Sequence, residues 1–188
     1  MNVYDFDNTI CKDDTESDWF KFTFKRHPMN WLCSPYYLLM TIIYKLHIID
    51  IGEYRQRAYL TLKFVKHLDK EIEIFWQKRK KKIMPWYLSQ HKEDDLVISA
   101  TPRIFLLPIF KELHIKNFIC SELDLKKRRW IGKTCYGEEK VRRFLLNYKA
   151  SDIDAFYTDS LSDAPMMLIA KKAYLVKNGK ITKWENKN

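Results

Sequence analysis

The sequence predicts an α/β fold: a Rossmann-like parallel sheet core with helices on both faces and an inserted all-helical cap. Three observations point there. After Pro85, short apolar runs alternate with helical patterns, the arrangement of a parallel sheet covered on both sides. From Ser17 to about Pro85, apolar and aromatic residues recur at helical spacing. A short apolar strand, Asn2-Val3-Tyr4-Asp5-Phe6, precedes that helical stretch, which makes the stretch an insertion.

In chain order, the first strand ends in the polar turn Asp7-Asn8-Thr9. The helical pattern then runs through Trp19, Phe20, Phe22 and Phe24, and later Tyr54, Tyr59, Leu62 and Val65, with Pro28 and Pro35 dividing it into separate helices. Leu96-Val97-Ile98 is the next strand. A helix follows from about Pro102 to Leu113, with proline suited to its first turn. Asn117 to Cys120 reads as a strand, and Leu123 to Trp130-Ile131 as a hairpin. Glu138 to Leu146 is helical, Ile153 to Tyr157 a strand, Asp163 to Ala170 helical, and Ala173 to Val176 the last core strand. The expected division is a core of residues 1–11 and 86–188 and a cap of residues 12–85.

With 188 residues, 46% of them apolar, the chain can bury one core and a smaller inserted module. Only four glycines and no repeats argue against disorder, except at the tail Glu185-Asn186-Lys187-Asn188. Cys11, Cys33, Cys120 and Cys135 are widely spaced, which suits neither a disulfide framework nor a zinc site. No basic start or small-residue cleavage site precedes the first strand, so a cytoplasmic setting is expected. The net charge is +10, with basic runs at Lys78-Arg79-Lys80-Lys81-Lys82 and Lys126-Lys127-Arg128-Arg129. Such a balance suits a phosphate ester, an acidic membrane surface or nucleic acid, and equally a solvated lysine-rich surface.

Four segments place polar residues where strands end or helices begin. Asp5-Phe6-Asp7-Asn8-Thr9 sets two carboxylates two residues apart, on one side if the chain is extended. Clustered carboxylates need a cation or a proton. Ser99-Ala100-Thr101 offers a hydroxyl and the free N–H groups of the next helix to a phosphoryl oxygen, or simply an N-cap. Lys140 in Gly137-Glu138-Glu139-Lys140-Val141 is a cation able to offset phosphate charge. Asp159-Ser160-Leu161-Ser162-Asp163 is a second acidic pair, directly after an apolar strand.

The order and spacing of these segments resemble the haloacid dehalogenase superfamily, over nearly the whole chain. Within it, the helical insertion after the first motif and the stretch Gly132 to Val141 look like the phosphoserine-phosphatase-like branch. That resemblance implies a phosphatase with Asp5 as nucleophile, forming an aspartyl phosphate. Asp7 would be the acid and then the base. Magnesium is implied between the carboxylates of Asp5 and Asp159 and the backbone carbonyl of Asp7, an all-oxygen set. Ser99, with Ala100 and Thr101, would hold the phosphate, and Lys140 would offset its charge, with Lys133 as the alternative lysine. Asp163 would orient Lys140 or a metal-bound water from behind.

The expected substrate is a small phosphomonoester or a lipid phosphate. Against phosphoserine itself, Ala100-Thr101-Pro102 stands where that branch has glycines, and no cap acid or arginine for a serine head is legible. The apolar stretch Trp31 to Tyr44, flanked by Lys25-Arg26 and Lys45, reads as a cap core helix or as a segment dipping into a membrane interface. It is too short and too interrupted to span a bilayer. With Asp159-Ser160 and Asp163-Ala164-Pro165, it is similar to bacterial phosphatidylglycerophosphate phosphatases of the same branch. A non-catalytic binding protein on this scaffold is the reading of another class. For nucleic acid, Trp76, Trp86 and Trp130 lie near basic runs, but no recognisable nucleic-acid fold is present.

Overall fold

The computed structural model describes residues 1–127 and 129–186, without the side chains at 58, 60, 61 and 63. Arg128 of the second basic run and Lys187-Asn188 of the tail lie outside the described residues.

The sheet holds β1 (Asn2–Tyr4), β2 (Leu96–Pro102) and β3 (Asn117–Ser121) on one side. A small hairpin, β4 (Leu123–Asp124) with β5 (Arg129–Trp130), follows β3, and β6 (Ala155–Thr158), β7 (Ala173–Lys177) and β8 (Lys180–Lys183) complete the sheet. Its order is β3-β2-β1-β6-β7-β8, parallel except for the β7–β8 pair. The first strand therefore lies in the middle, and the chain winds outward first one way and then the other. The crevice where the direction reverses opens at the carboxyl end of β1.

Alternation sorts the strand residues between two cores. Val3, in register with Leu96 and Phe156, joins Ile98, Phe144, Met166 and Met167 on one face. Tyr4 and Val97 face the other core, with Phe6, Trp76, Phe105 and Phe110. Both faces are covered, so these strands read as continuous apolar runs. Helices α6 (Arg103–Glu112), α7 (Glu138–Phe144) and α8 (Ala164–Ile169) supply much of that cover, numbered after the five helices that lie between β1 and β2.

Those five are α1 (Thr15–Arg26), α2 (Ser34–Lys45), α3 (Ile51–Ala58), α4 (Leu68–Arg79) and α5 (Pro85–Gln90). Asp14 caps α1, accepting from the Ser17 N–H at 2.7 Å. Its first turn is acidic and its last turn basic, as the helix dipole favours. Pro28 opens a 3-10 turn and Pro35 sits in the first turn of α2, so both prolines mark starts, where a missing N–H costs nothing. The insertion is seated on the core by aromatic contacts: Trp19 against Phe105 at 5.0 Å between ring centroids, and Trp76 against Phe6 at 6.0 Å. Truncating one such ring costs about 3–5 kcal/mol. Buried Arg79 adds a polar tie, donating to the carbonyls of Lys12 at 3.1 Å and Asp13 at 2.7 Å while pairing with Asp18. The loop after β1 is thereby held against α4.

Two local expectations change. β7 is not the last strand: β8 pairs with it antiparallel across Asn178-Gly179, whose φ angles of 52° and 80° are both left-handed. Asn-Gly is the residue pair that such a two-residue turn demands. β1 stops at Tyr4, and Asp5 to Asp7 are not extended strand. Instead the Phe6 carbonyl accepts from the N–H groups of Thr9, Ile10 and Cys11, folding the chain into a tight loop with Asn8 at φ 56°.

All four cysteines are free thiols. The first basic run is engaged locally: Lys80 pairs with Glu112, and Lys82 with Asp13 and Asp18. Trp76 is buried, and Trp130 is partly buried, donating to the Gly52 carbonyl and packing edge-on against Tyr59.

Candidate active site

Asp5 leaves the end of β1 with its main-chain N–H donating to the Tyr157 carbonyl of β6 at 2.9 Å. That bond aims its side chain into the crevice beside the carboxyl ends of β1, β2 and β6. The cavity there measures about 230 Å³, and its walls include Asp5, Asp7, Asn8, Ala100, Thr101, Lys140, Asp159 and Asp163.

Lys140 Nζ lies 2.6 Å from Asp5 Oδ1 and 2.7 Å from Asp163 Oδ2, and all three groups are buried. Thr158 Oγ1 donates to the same Asp163 oxygen at 2.8 Å, and Thr9 Oγ1 donates to Asp5 Oδ2 at 3.4 Å. Lys140 reaches the crevice because α7 starts at Gly137, whose φ of 56° and ψ of −126° suit glycine alone. Burial works against the lysine charge, but the two carboxylates outweigh it and raise its pKa. Lys133 does not enter this cavity: it lines a separate groove, where its carbonyl accepts from Arg143.

Asp7 is held by both oxygens. Oδ1 accepts from the Thr15 N–H at the start of α1 at 2.7 Å, and Oδ2 from Thr101 Oγ1 at 2.6 Å. Thr101 thus meets Asp7 directly. Ser99 is buried, with its Oγ accepting from the Thr101 N–H at 3.1 Å, and the cavity wall is made by Ala100 and Thr101 in its place. Asp159 is half-buried at the rim, beside Ser160 and Ser162.

Burial drives the acids toward the neutral form. It lifts Asp5 to about 7, against the opposing charge of Lys140 and with Asp163 and Asp159 adding to the rise. Asp159 rises to about 6, chiefly by burial, with Asp163 adding. Asp7 is raised too, by burial and then by Asp14, while Thr101 and Thr15 pull the other way.

Five carboxylates (Asp5, Asp7, Asp14, Asp159 and Asp163) face two cations, Arg55 and Lys140, in a protein that is otherwise strongly basic. This excess of acid oxygen suits a hard divalent cation. Among the described residues no three His, Cys, Asp or Glu side chains converge on one point.

Two wall residues were not legible in the sequence. Asp14 had a local signal, since it caps α1. Arg55 had none: it reaches the cavity from α3, set by Glu16 Oε2 at 3.8 Å and lying over the Tyr136 ring at 5.9 Å.

The sequence model of one family, haloacid dehalogenase-like hydrolase, matches residues 3–168. Among solved structures, a protein of unknown function from Bordetella pertussis Tohama I superposes with a TM-score of 0.73 at 16% identity, over 92% of this chain and 87% of that one. Phosphoserine phosphatase in its apo form gives 0.59 at 13% identity, over 91% and 82%. A phospho-aspartyl intermediate analogue of phosphoserine phosphatase gives 0.55 at 15%, over 91% and 83%. At these identities the structures speak for the fold. No curated protein matches the sequence. A family match over residues 3–168, joined to a sheet that superposes on phosphoserine phosphatase in fold, places this protein among the haloacid dehalogenase-like hydrolases.

Proposed function

We propose that the chain is a magnesium-dependent phosphomonoester hydrolase working through an aspartyl phosphate on Asp5. The observation that carries this is the Asp5–Lys140–Asp163 chain of short contacts beside Asp7, in one small cavity at the sheet's switch point. Asp5 attacks phosphorus in line, and the bond to the leaving alcohol breaks as Asp7 gives its oxygen a proton. Asp7, now ionised, takes a proton from water as that water attacks the aspartyl phosphate, which frees phosphate and restores Asp5. Burial favours its protonated form, while the donors Thr15 and Thr101 fix its position and favour the ionised one, so both states are supported.

Lys140 offsets charge on Asp5 and on the phosphoryl oxygens, while Asp163 and Thr158 hold it there. Magnesium on Asp5, Asp159 and the Asp7 carbonyl would neutralise phosphate charge and favour ionised Asp5. Ala100 and Thr101, on the cavity wall, would meet the phosphoryl oxygens, with Ser99 Oγ accepting from the Thr101 N–H behind them.

A lipid phosphate such as phosphatidylglycerophosphate and a small soluble phosphomonoester are both compatible with this chemistry. An observation outside the cavity favours the lipid. Of the residues of α2 only Met40 is buried, while Leu38, Leu39, Ile42 and the following Leu46 form an exposed apolar stripe, continued by Trp31 at 61% and Leu32 at 71% exposure. Lys25 and Lys45 flank this stretch in the sequence, as suits an anionic bilayer surface, while Arg26 is paired with Glu71. Among the described residues no helix is long and apolar enough to cross a membrane. Asp14 and Arg55 also keep phosphoserine in play, since an acid and a base at the cap side could grip an amino acid head.

The test is phosphate release from p-nitrophenyl phosphate, phosphoserine, sugar phosphates and phosphatidylglycerophosphate, with and without magnesium, for the native protein and Asp5→Asn. Magnesium-dependent release lost in Asp5→Asn is the expected result. Release that survives Asp5→Asn or chelation of the metal would sink the mechanism.

A further inference from the structure

The catalytic cavity is too small for a whole substrate beyond a compact one: its 230 Å³ lies below the range of about 300–1,000 Å³ common to small-molecule sites. A second cavity, of about 420 Å³, adjoins it within the cap. Asp14 and Arg55 belong to the walls of both, so the two spaces meet at these side chains. Beyond them the character of the wall changes. Phe20 and Phe24 come from α1, Tyr37 from α2, and Ile51 and Tyr54 from α3. Phe20 and Phe24 each lie 6.1 Å from the Tyr37 ring, so three rings form one continuous apolar side.

We infer that this cap cavity seats the apolar part of the leaving group, so that the substrate is an amphiphilic phosphomonoester whose phosphate sits at Asp5 and whose alkyl or acyl portion lies among Phe20, Phe24, Tyr37, Ile51 and Tyr54. The inference rests on the phosphatase reading above. Asp14 and Arg55 meet the polar link between phosphate and chain, where an ester or hydroxyl finds an acceptor and a donor. Glu16, buried and 3.8 Å from Arg55, sets the arginine there. One of the three helices that wall the cavity, α2, also carries the exposed apolar stripe, so a chain drawn from a lipid surface would pass from one apolar environment to another.

The experiment measures binding of ethyl, butyl, hexyl and octyl phosphate, below their micelle concentrations, to the Asp5→Asn protein by calorimetry. Moving one methylene from water into an apolar cavity gains about 0.8 kcal/mol, about fourfold in affinity. The expected result is therefore a gain approaching fourfold per carbon, saturating when the cavity is full. Ile51→Trp, which fills the cavity, should flatten that slope, and Ile51→Phe should flatten it in part if the larger residue prevents folding. Equal affinity across the series in the Asp5→Asn protein would overturn the inference. Hydrolysis of p-nitrophenyl phosphate by the native protein is followed alongside. A flat series with hydrolysis intact removes the cap cavity's role and leaves the phosphatase standing. A steep series with no hydrolysis keeps the cavity as an amphiphile site and removes the catalytic reading.

Discussion

Lys140 Nζ sits 2.6 Å from Asp5 and 2.7 Å from Asp163, so one buried cation bridges the ends of β1 and β6 from a helix more than a hundred residues beyond Asp5. Two buried carboxylates share that single ammonium, and neither can be left alone without a large desolvation cost.

Replacing the cation exposes this dependence. Lys140→Met should destabilise the protein by about 3–5 kcal/mol at neutral pH, because two buried acids lose their shared cation. Adding Asp163→Asn should recover part of the loss. Urea unfolding of the single and double variants measures both. A single variant as stable as the native protein would mean that the pair is far better solvated than the geometry states.

Asp7 as leaving-group acid predicts a dependence on the alcohol expelled. Asp7→Asn should lower the rate on an alkyl phosphate by about 10²–10⁴-fold. It should lower the first step with p-nitrophenyl phosphate much less, since nitrophenolate leaves without a proton. Pre-steady-state release of nitrophenol separates that step from hydrolysis of the aspartyl phosphate. Equal losses on both substrates would remove Asp7 from the acid role.

Glu16 links stability to pH. Burial lifts its carboxyl from the usual 4.5 to about 7, against the opposing charge of Arg55. The folded state therefore holds a proton that the unfolded chain has already lost, and stability falls as pH rises from about 4.5 to about 7, then levels. Glu16→Gln cannot ionise. Relative to the native protein it should gain on the order of 3 kcal/mol between pH 5 and pH 8. Urea midpoints at the two pH values check the sign; a difference that shrinks with rising pH would contradict it.

The α2 stripe separates surface binding from folding. Trp31→Asp with Leu38→Asp should move the melting temperature by less than about 4 °C, because both side chains are mostly exposed and only Trp31's edge contact with Phe24 is lost. Binding to vesicles rich in phosphatidylglycerol should fall at least about tenfold. Sedimentation of the two proteins with vesicles decides it, and unchanged binding would clear the stripe of any membrane role.

The sequence by itself determined the layered α/β fold, because strand and helix periods are local properties of side-chain direction. It also marked Asp5, Asp7, Lys140, Asp159 and Asp163, since each follows a strand or opens a helix at a point where polar residues interrupt an apolar pattern. The Asn178-Gly179 turn was equally local and announces β8 to any reading that stops at it. Tertiary structure alone decided the rest. Which lysine enters the crevice depends on the direction of α7 from Gly137, and Lys133 and Lys140 are equally basic in sequence. That Thr101 meets Asp7 depends on how the end of β2 faces the loop after β1. Arg55 reaches the cavity across the cap, and the apolar space beside it exists only where α1, α2 and α3 meet. Such features arise from distances between segments far apart in the chain, which closure of the fold sets and no local pattern of residues encodes.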